Sequence, residues 1–386
     1  MHGAHRTNPS DARDPADAGP SRRSVLGAAV AGAAGLAVGG QLAWSASASA
    51  AATTLRVPCD DVPHVRTWMA WPTRSSIWGR LLSGIQDDVA LIARTIARYE
   101  PVVMCAPDAS SATAARAKCG SGVMVISSIP VDDLWARDTA PVFRTDGQGG
   151  RDAVGLGFNG WGNKQTHTKD ALVASRIAAY TGLSFTRAGF TGEGGAIEAD
   201  GDGTVMATES SLVNNNRNRG KSKAQIEAAV LAAYGASKMI WVPGVKGQDI
   251  TDDHIDATSR FVRPGVVMVQ VPPANRTDIW ARDAREQLAI LSAATDAKGR
   301  RLQVIRIDGP DRVRSTSPDF VDSYVNFHVT NSAVVMSQFG DGAKDEAARR
   351  VVAGAYPGRQ VIQLNTDRIG EGGGGIHCTT MQEPTP

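Results

Sequence analysis

Cys378 has the setting in this chain best suited to chemistry. It ends the run Gly372-Gly373-Gly374-Gly375-Ile376-His377-Cys378 near the C-terminus, and a glycine-rich loop is a poor place for a core thiol but a good one for a reactive thiol. His254 stands two residues before Asp256, so an extended segment there points both side chains to one face and sets a proton carrier beside a carboxylate. A thiol, an imidazole and carboxylates are the parts of covalent catalysis with acid–base assistance. Taken singly, each has an ordinary alternative: an inert buried thiol for Cys378, a core histidine or a metal ligand for His254, and a cap or a salt bridge to Arg137 for Asp138.

The elements that must position these residues repeat. Amphipathic helical stretches at Ile85 to Tyr99, Lys169 to Tyr180, Ser222 to Tyr234, Arg282 to Ala294 and Lys344 to Ala355 each end just before a short β-type run, such as Val102-Val103-Met104 or Met239-Ile240-Trp241. Apart from a wider first gap, which holds an extra helical stretch at Ala109 to Lys118, the period is roughly sixty residues, as in a repeated supersecondary unit. Gly194 to Thr208, turning at Asp200-Gly201-Asp202-Gly203, and the pair of runs about Arg263-Pro264-Gly265 read as hairpins. The expectation is an α/β fold of five β-rich units forming one domain over residues 51–386. One polar group falls in each unit after its helix–strand step: Trp135-Ala136-Arg137-Asp138, Glu193-Gly194-Gly195, His254-Ile255-Asp256, Ser323-Tyr324-Val325-Asn326, and Gly372 to Cys378. In a closed ring of such units, loops far apart in sequence converge on one axis.

Composition narrows the function. With 41 Lys and Arg against 39 Asp and Glu, and no basic or aromatic-interleaved run, nucleic acid is a poor fit as partner. The four cysteines, Cys59, Cys105, Cys119 and Cys378, include no C-x-x-C pair and no zinc-like spacing, and no nucleotide-binding glycine motif is present. No metal or cofactor is therefore expected. Cys105 and Cys119 flank the extra helical stretch and could bridge in an oxidising compartment. Residues 1–50 read as a removable twin-arginine export signal: Arg22-Arg23 precede a mildly apolar run from Leu26 to Trp44, then alternating small residues to Ala52. The alternative is an uncleaved anchor, but Gly27, Gly32, Gly35, Gly39 and Gly40 keep that run weakly hydrophobic, and no other stretch approaches the ~20 apolar residues of a span. A secreted protein without stable membrane association is expected; the oligomeric state is left open.

Six motifs, in order, resemble the agmatine deiminases and the related bacterial peptidylarginine deiminases: Trp68-Met69-Ala70-Trp71-Pro72, Leu134 to Pro141, Glu193-Gly194-Gly195, Asn214 to Asn218, Ser323 to Phe327 and Gly373 to Cys378. The resemblance spans about residues 62–386. It implies a five-bladed α/β propeller (pentein-like) and hydrolytic deimination of a small guanidino substrate, agmatine to N-carbamoylputrescine and ammonia, with no cofactor. It implies Cys378 as nucleophile, His254 as the acid that protonates departing ammonia and then activates water, and Glu193 as the group that orients and charges His254. Asp138 and Asp256 are implied to grip the guanidinium nitrogens. Asn326 would line the pocket, and Trp71, Trp135 and Trp161 would pack along the substrate's alkyl chain, although core packing is the default for any tryptophan.

Three departures from the family pattern bear on the substrate. Asp253 stands where glycine usually precedes the histidine, Ala140 replaces a commoner glycine, and Phe158 to Gln165 diverges after a similar start. A peptidylarginine deiminase acting on C-terminal arginine needs cations for the α-carboxylate; here the stretch after Asp138 offers only Lys164 where that family has an arginine pair. Amidinotransfer to an amine, and a binding propeller without turnover, are the other readings.

Overall fold

A computed structural model describes residues 54–386, which fall in one compact unit; the export segment expected at 1–50 lies outside the described residues. Helix α1 (Leu82–Ile96) shows how the units are built. Ile85, Val89, Ile92 and Ile96 recur at helical spacing and all are buried, so one stripe of the helix covers the sheet beside it. It joins β1 (His64–Ala70) to a parallel neighbour, β2 (Val102–Cys105); α2 (Ala109–Cys119) then leads to β3 (Val123–Ile126), parallel again.

Four three-stranded sheets follow, each with the same grammar: an antiparallel hairpin, a helix, then a third strand parallel to the second. They are β4 (Val142–Thr145), β5 (Arg151–Gly155), α3 (Val173–Thr181) and β6 (Ser184–Arg187); β7 (Ile197–Ala199), β8 (Thr204–Thr208), α4 (Lys223–Tyr234) and β9 (Lys238–Val242); β10 (Ser259–Arg263), β11 (Val266–Val271), α5 (Ile279–Ala293) and β12 (Gln303–Asp308); and β13 (His328–Val329), β14 (Ala333–Ser337), α6 (Gly342–Ala355) and β15 (Gln360–Leu364). The last strand, β16 (Met381–Pro384), returns to pair antiparallel with β1 and completes the first sheet. Parallel neighbours need a crossover, which the helices supply. The middle strands β8 and β14 are buried along their whole length, the expected state of a strand covered on both faces.

Local chemistry fixes the helix ends. Ser222 and Gln225 form a reciprocal capping box on α4, and Gly235 closes it in the left-handed region at φ 63°. The expected helices all appear, displaced by a few residues at most. All four cysteines are free thiols, with Cys105 and Cys119 both buried, so no disulfide joins them. Among the described residues, no helix is long and apolar enough to cross a membrane.

Candidate active site

The five polar groups occupy one topological position. Asp138 lies between β3 and β4, Glu193 between β6 and β7, His254 and Asp256 between β9 and β10, Asn326 between β12 and β13, and Cys378 between β15 and β16. Each follows the last parallel strand of one sheet and precedes the antiparallel pair of the next, which for Cys378 is β16 with β1. Asp138, His254, Asp256 and Cys378 line one cleft of about 460 Å³, together with Trp135 and Trp161.

Cys378 is held by Asn326. The amide Nδ2 donates toward Sγ at 3.2 Å while Oδ1 accepts from the backbone N–H of Cys378 (3.3 Å) and of His377 (3.0 Å). A side chain at Gly375 would collide with Asn326, and one at Gly374 with the Trp135 ring, so these glycines allow the loop's close approach. Sγ lies 3.7 Å from Asp256 Oδ2. Burial, then the carboxylates of Asp256 and Asp138, push the thiol pKa well above its usual value, so the resting group is a thiol.

His254 precedes a single 3-10 turn, Ile255–Ala257, rather than lying in an extended strand. The spacing argument therefore named the right pair for the wrong local geometry: the turn, not strand alternation, brings Asp256 into the cleft. His254 Nε2 faces Glu193 Oε2 at 3.3 Å, and Nδ1 faces Asp138 Oδ1 at 3.7 Å. Burial alone would lower the imidazole pKa, but Asp138, Glu193 and Asp256 together raise it to about 9. Asp138 is itself raised to about 6, by burial above all, against the pull of His254. Trp161 Nε1 donates to its Oδ2 (2.9 Å) and the Gly195 N–H to its Oδ1 (3.1 Å). Trp161 reaches it from a loop in which Gly160, Trp161, Gly162 and Asn163 all have positive φ, a strained backbone of the kind found at functional sites.

Glu193 does not line the cleft; it is fully buried behind His254. Burial would raise its pKa, but Arg217 and His254 hold it low, with Arg217 Nε 2.9 Å from both carboxylate oxygens. Asp256 is also held low despite burial, chiefly by His377, whose Nδ1 lies 2.7 Å from Oδ2. Its other oxygen, Oδ1, is buried with no hydrogen-bond partner. Arg217 and His377 are positioning residues that sequence reasoning passed over, although both sit inside motifs it had singled out.

Three expectations need correction. Asn326 is buried and reaches Cys378 without lining the cleft itself. Trp71 is fully buried in a hydrophobic cluster with Trp78, Ile85 and Leu134 and is not a cleft residue; it sits at the end of β1, where the strand has already entered the core. Lys164 does not offer a free charge: its Nζ pairs with Asp252 Oδ2 at 2.8 Å, and Arg217 Nη1 reaches the same oxygen at 2.8 Å. Asp253 adopts φ 70°, the region that favours glycine, and its Oδ2 accepts from the Val245 N–H at 2.9 Å. Spacing along the chain suggested no metal ligands, yet the fold gathers His64, Glu100 and His328, with their ligating atoms within 4.8 Å of one another.

Known proteins resemble this chain over most of its length. The chain is 36% identical over 354 residues to an agmatine deiminase of Stutzerimonas stutzeri, covering 86% of this chain and 95% of that one. An agmatine deiminase of Pseudomonas aeruginosa is 34% identical over 355 residues, with 86% and 96% covered. The structure of the agmatine deiminase of Enterococcus faecalis superposes with a TM-score of 0.81 at 27% identity, covering 86% of this chain and 96% of that chain. The fold is thus the α/β fold of those pentein-like enzymes, and residues 56–384 match the model of the Porphyromonas-type peptidyl-arginine deiminases. This chain belongs to that family.

Proposed function

We propose that the protein is a hydrolase of amidine C–N bonds that converts agmatine and water to N-carbamoylputrescine and ammonia through a covalent intermediate on Cys378. The observation that carries this reading is the orphaned Oδ1 of Asp256, a buried anionic acceptor beside a thiol and an imidazolium. A buried carboxylate oxygen left unpaired costs on the order of 1–3 kcal/mol. A guanidinium N–H removes that cost and supplies positive charge.

The steps use side chains alone. The bound cation offsets the charges of Asp256 and Asp138, so the Cys378 thiol gives up its proton to solvent, where the ammonia released later takes it up as ammonium, and the nucleophile forms only with substrate present. Sγ bonds to the guanidinium carbon; the C–N bond breaks as His254 Nδ1–H protonates the leaving nitrogen, giving ammonia and an S-linked amidinium. Water then adds to that carbon, His254 takes its proton, and the C–S bond breaks to release the urea and restore the thiol. Asn326 is placed to steady the sulfur, Glu193 to keep the imidazole protonated and oriented, and Trp135 and Trp161 to flank the alkyl chain. The five sheets are read as five blades around this cleft, and residues 1–50 as a twin-arginine signal that is removed on secretion.

The charge of the cleft favours agmatine over arginine or a C-terminal arginyl peptide. Asp138, Asp249, Asp253, Asp256, Asp283, Asp319, Asp322 and Glu371 line it, against Arg276 and His254. Arg276 is engaged by Asp278 (2.9 Å) and Asp322 (3.1 Å), and Lys164 by Asp252. A distal ammonium suits that wall; a carboxylate does not. We expect kcat/KM for agmatine to exceed that for free arginine by at least ~10-fold, about 1.4 kcal/mol, measured as ammonia release at fixed pH and salt. Preference for C-terminal arginyl peptides would overturn the substrate while leaving the thiol mechanism in place.

A further inference from the structure

Outside the cleft, three side chains distant in sequence converge: His64 at the start of β1, Glu100 just after α1, and His328 in β13. All are buried, and none lines the cleft. His64 Nδ1 lies 3.3 and 3.2 Å from Glu100 Oε1 and Oε2, and His328 Nε2 lies 3.4 Å from Oε1. Charge-assisted N–H···O bonds run to about 2.7–2.9 Å, so these contacts are long for imidazole–carboxylate pairs.

The tautomer of His64 sharpens the point. Its Nε2 lies 3.1 Å from the Asp60 carbonyl oxygen, which can only accept, so Nε2 carries the proton. In the neutral ring Nδ1 then presents a lone pair to a carboxylate. Two electron-rich groups facing at that distance call for a cation between them. Among the described residues no Lys or Arg forms an ion pair with Glu100; its partners are the two histidines. The spacing fits a metal: bonds of about 2.0–2.1 Å at tetrahedral angles separate neighbouring ligand atoms by about 3.3–3.4 Å.

We propose that His64 Nδ1, His328 Nε2 and the Glu100 carboxylate form a buried binding site for a divalent transition metal, zinc by the chemistry of the donors. The Thr67 hydroxyl, bonded to Glu100 Oε1 and 2.8 Å from His328 Nε2, is too close to both to share a tetrahedral shell and stands outside it, so the protein supplies three donors. Outer contacts hold two of the ligands, as metal sites require. The Asn331 N–H donates to Glu100 Oε2 (2.8 Å), and its side chain bonds both the N–H (2.8 Å) and the carbonyl (3.0 Å) of His64. His328 Nδ1 has no partner, which makes His328 the least anchored ligand and the one to remove. Such an ion would join the sheet of β1 to that of β13, a structural staple distinct from the catalytic groups.

The test uses untagged protein expressed with zinc in the medium, gel-filtered, and measured by elemental analysis and thermal melting. One zinc per chain is expected in the wild type and under ~0.1 in His328→Phe. Zinc added to chelator-treated wild type at 100 times Kd should lower the unfolded fraction about a hundredfold. Should His328→Phe fail to fold, cobalt(II) loaded into stripped wild type should still give the visible absorption of a tetrahedral site. The proposal is overturned by metal-free wild type whose melting ignores zinc, by zinc that stays stoichiometric in folded His328→Phe, or by 15N NMR of zinc-supplemented protein showing both nitrogens of His64 protonated.

Discussion

Glu193→Gln isolates what the buried carboxylate does for His254. The imidazole pKa stands at about 9 against an ordinary 6.5, a net bias toward the charged form on the order of 3 kcal/mol. Asp138 exerts the largest single pull, and Glu193 acts through both a hydrogen bond and its charge, so removing the Glu193 charge should lower the value by about one unit. With His254 in the proposed role of acid, activity should persist below its pKa and be lost as pH rises through it. The basic limb of kcat/KM should therefore move from about 9 to about 8, costing about fivefold at pH 9 and little at pH 7. Breaking one side of a buried ion pair costs about 3–5 kcal/mol, but Arg217 keeps Asp252 Oδ2 (2.8 Å) and the Thr251 carbonyl (2.7 Å), so the loss should fall below that range. Glu193→Gln with Arg217→Met removes the stranded cation and should recover stability without restoring the limb. A uniform fall in rate with the basic limb unmoved would refute the reasoning.

Other consequences follow from the same geometry. Cys378→Ser should fold yet lose on the order of a thousandfold or more in kcat, and iodoacetamide should inactivate the wild type with substrate protecting it; retained turnover in the serine variant removes the nucleophile assignment. Trp161→Phe deletes the 2.9 Å donor to Asp138, so the acid limb, set near 6 by Asp138, should shift upward while the basic limb stays; movement of both limbs counts against that role. Asp253→Gly suits φ 70° and removes a carboxyl whose folded pKa is held well above 3.8, by burial first and then by Asp283. Such a group's stabilising contribution is full below about pH 4 and lost as pH rises toward its folded pKa, so the Tm of the variant relative to wild type should increase between pH 4.5 and 7.5, and a constant difference contradicts it.

Periodicity made the repeats legible, because a helix that buries one face must place apolar residues every three or four positions, and α1 does so at Ile85, Val89, Ile92 and Ile96. The β13–β14 hairpin was hidden, since His328–Val329 is two residues long; the β4–β5 hairpin was passed over although Asp146-Gly147-Gln148-Gly149-Gly150 between its strands is a turn signal. Closure of the first sheet by β16 was equally hidden: pairing of Trp68 with Met381 is a contact across the whole chain. At the site, Cys378 stood out by its glycine loop and His254 with Asp256 by their spacing, whereas Asp138 was singled out only by the ordered motifs of the family. Arg217 and His377 were not, because a positioning residue announces itself only through the atom it touches. Lys164 looked like a free cation until the fold set it against Asp252, and Trp71 looked like a pocket residue until β1 carried it into the core.

The charges around Cys378 explain why a site with such a sluggish thiol is suited to this chemistry. Asp138 and Asp256 face the sulfur, and both raise its pKa; Glu193 is spent on Arg217 and His254, and His254 supplies the one cation on the cleft wall near the sulfur. A second anion at Sγ is therefore disfavoured until another positive charge arrives. A guanidinium brings that charge, is planar enough to meet two carboxylates at once, and satisfies Asp256 Oδ1, the atom left without a partner. The binding that aligns the electrophile thus also makes the nucleophile. The same arrangement keeps the resting thiol protonated, and since oxidation follows thiolate character, the carboxylates that grip the substrate also shield Cys378 between turnovers.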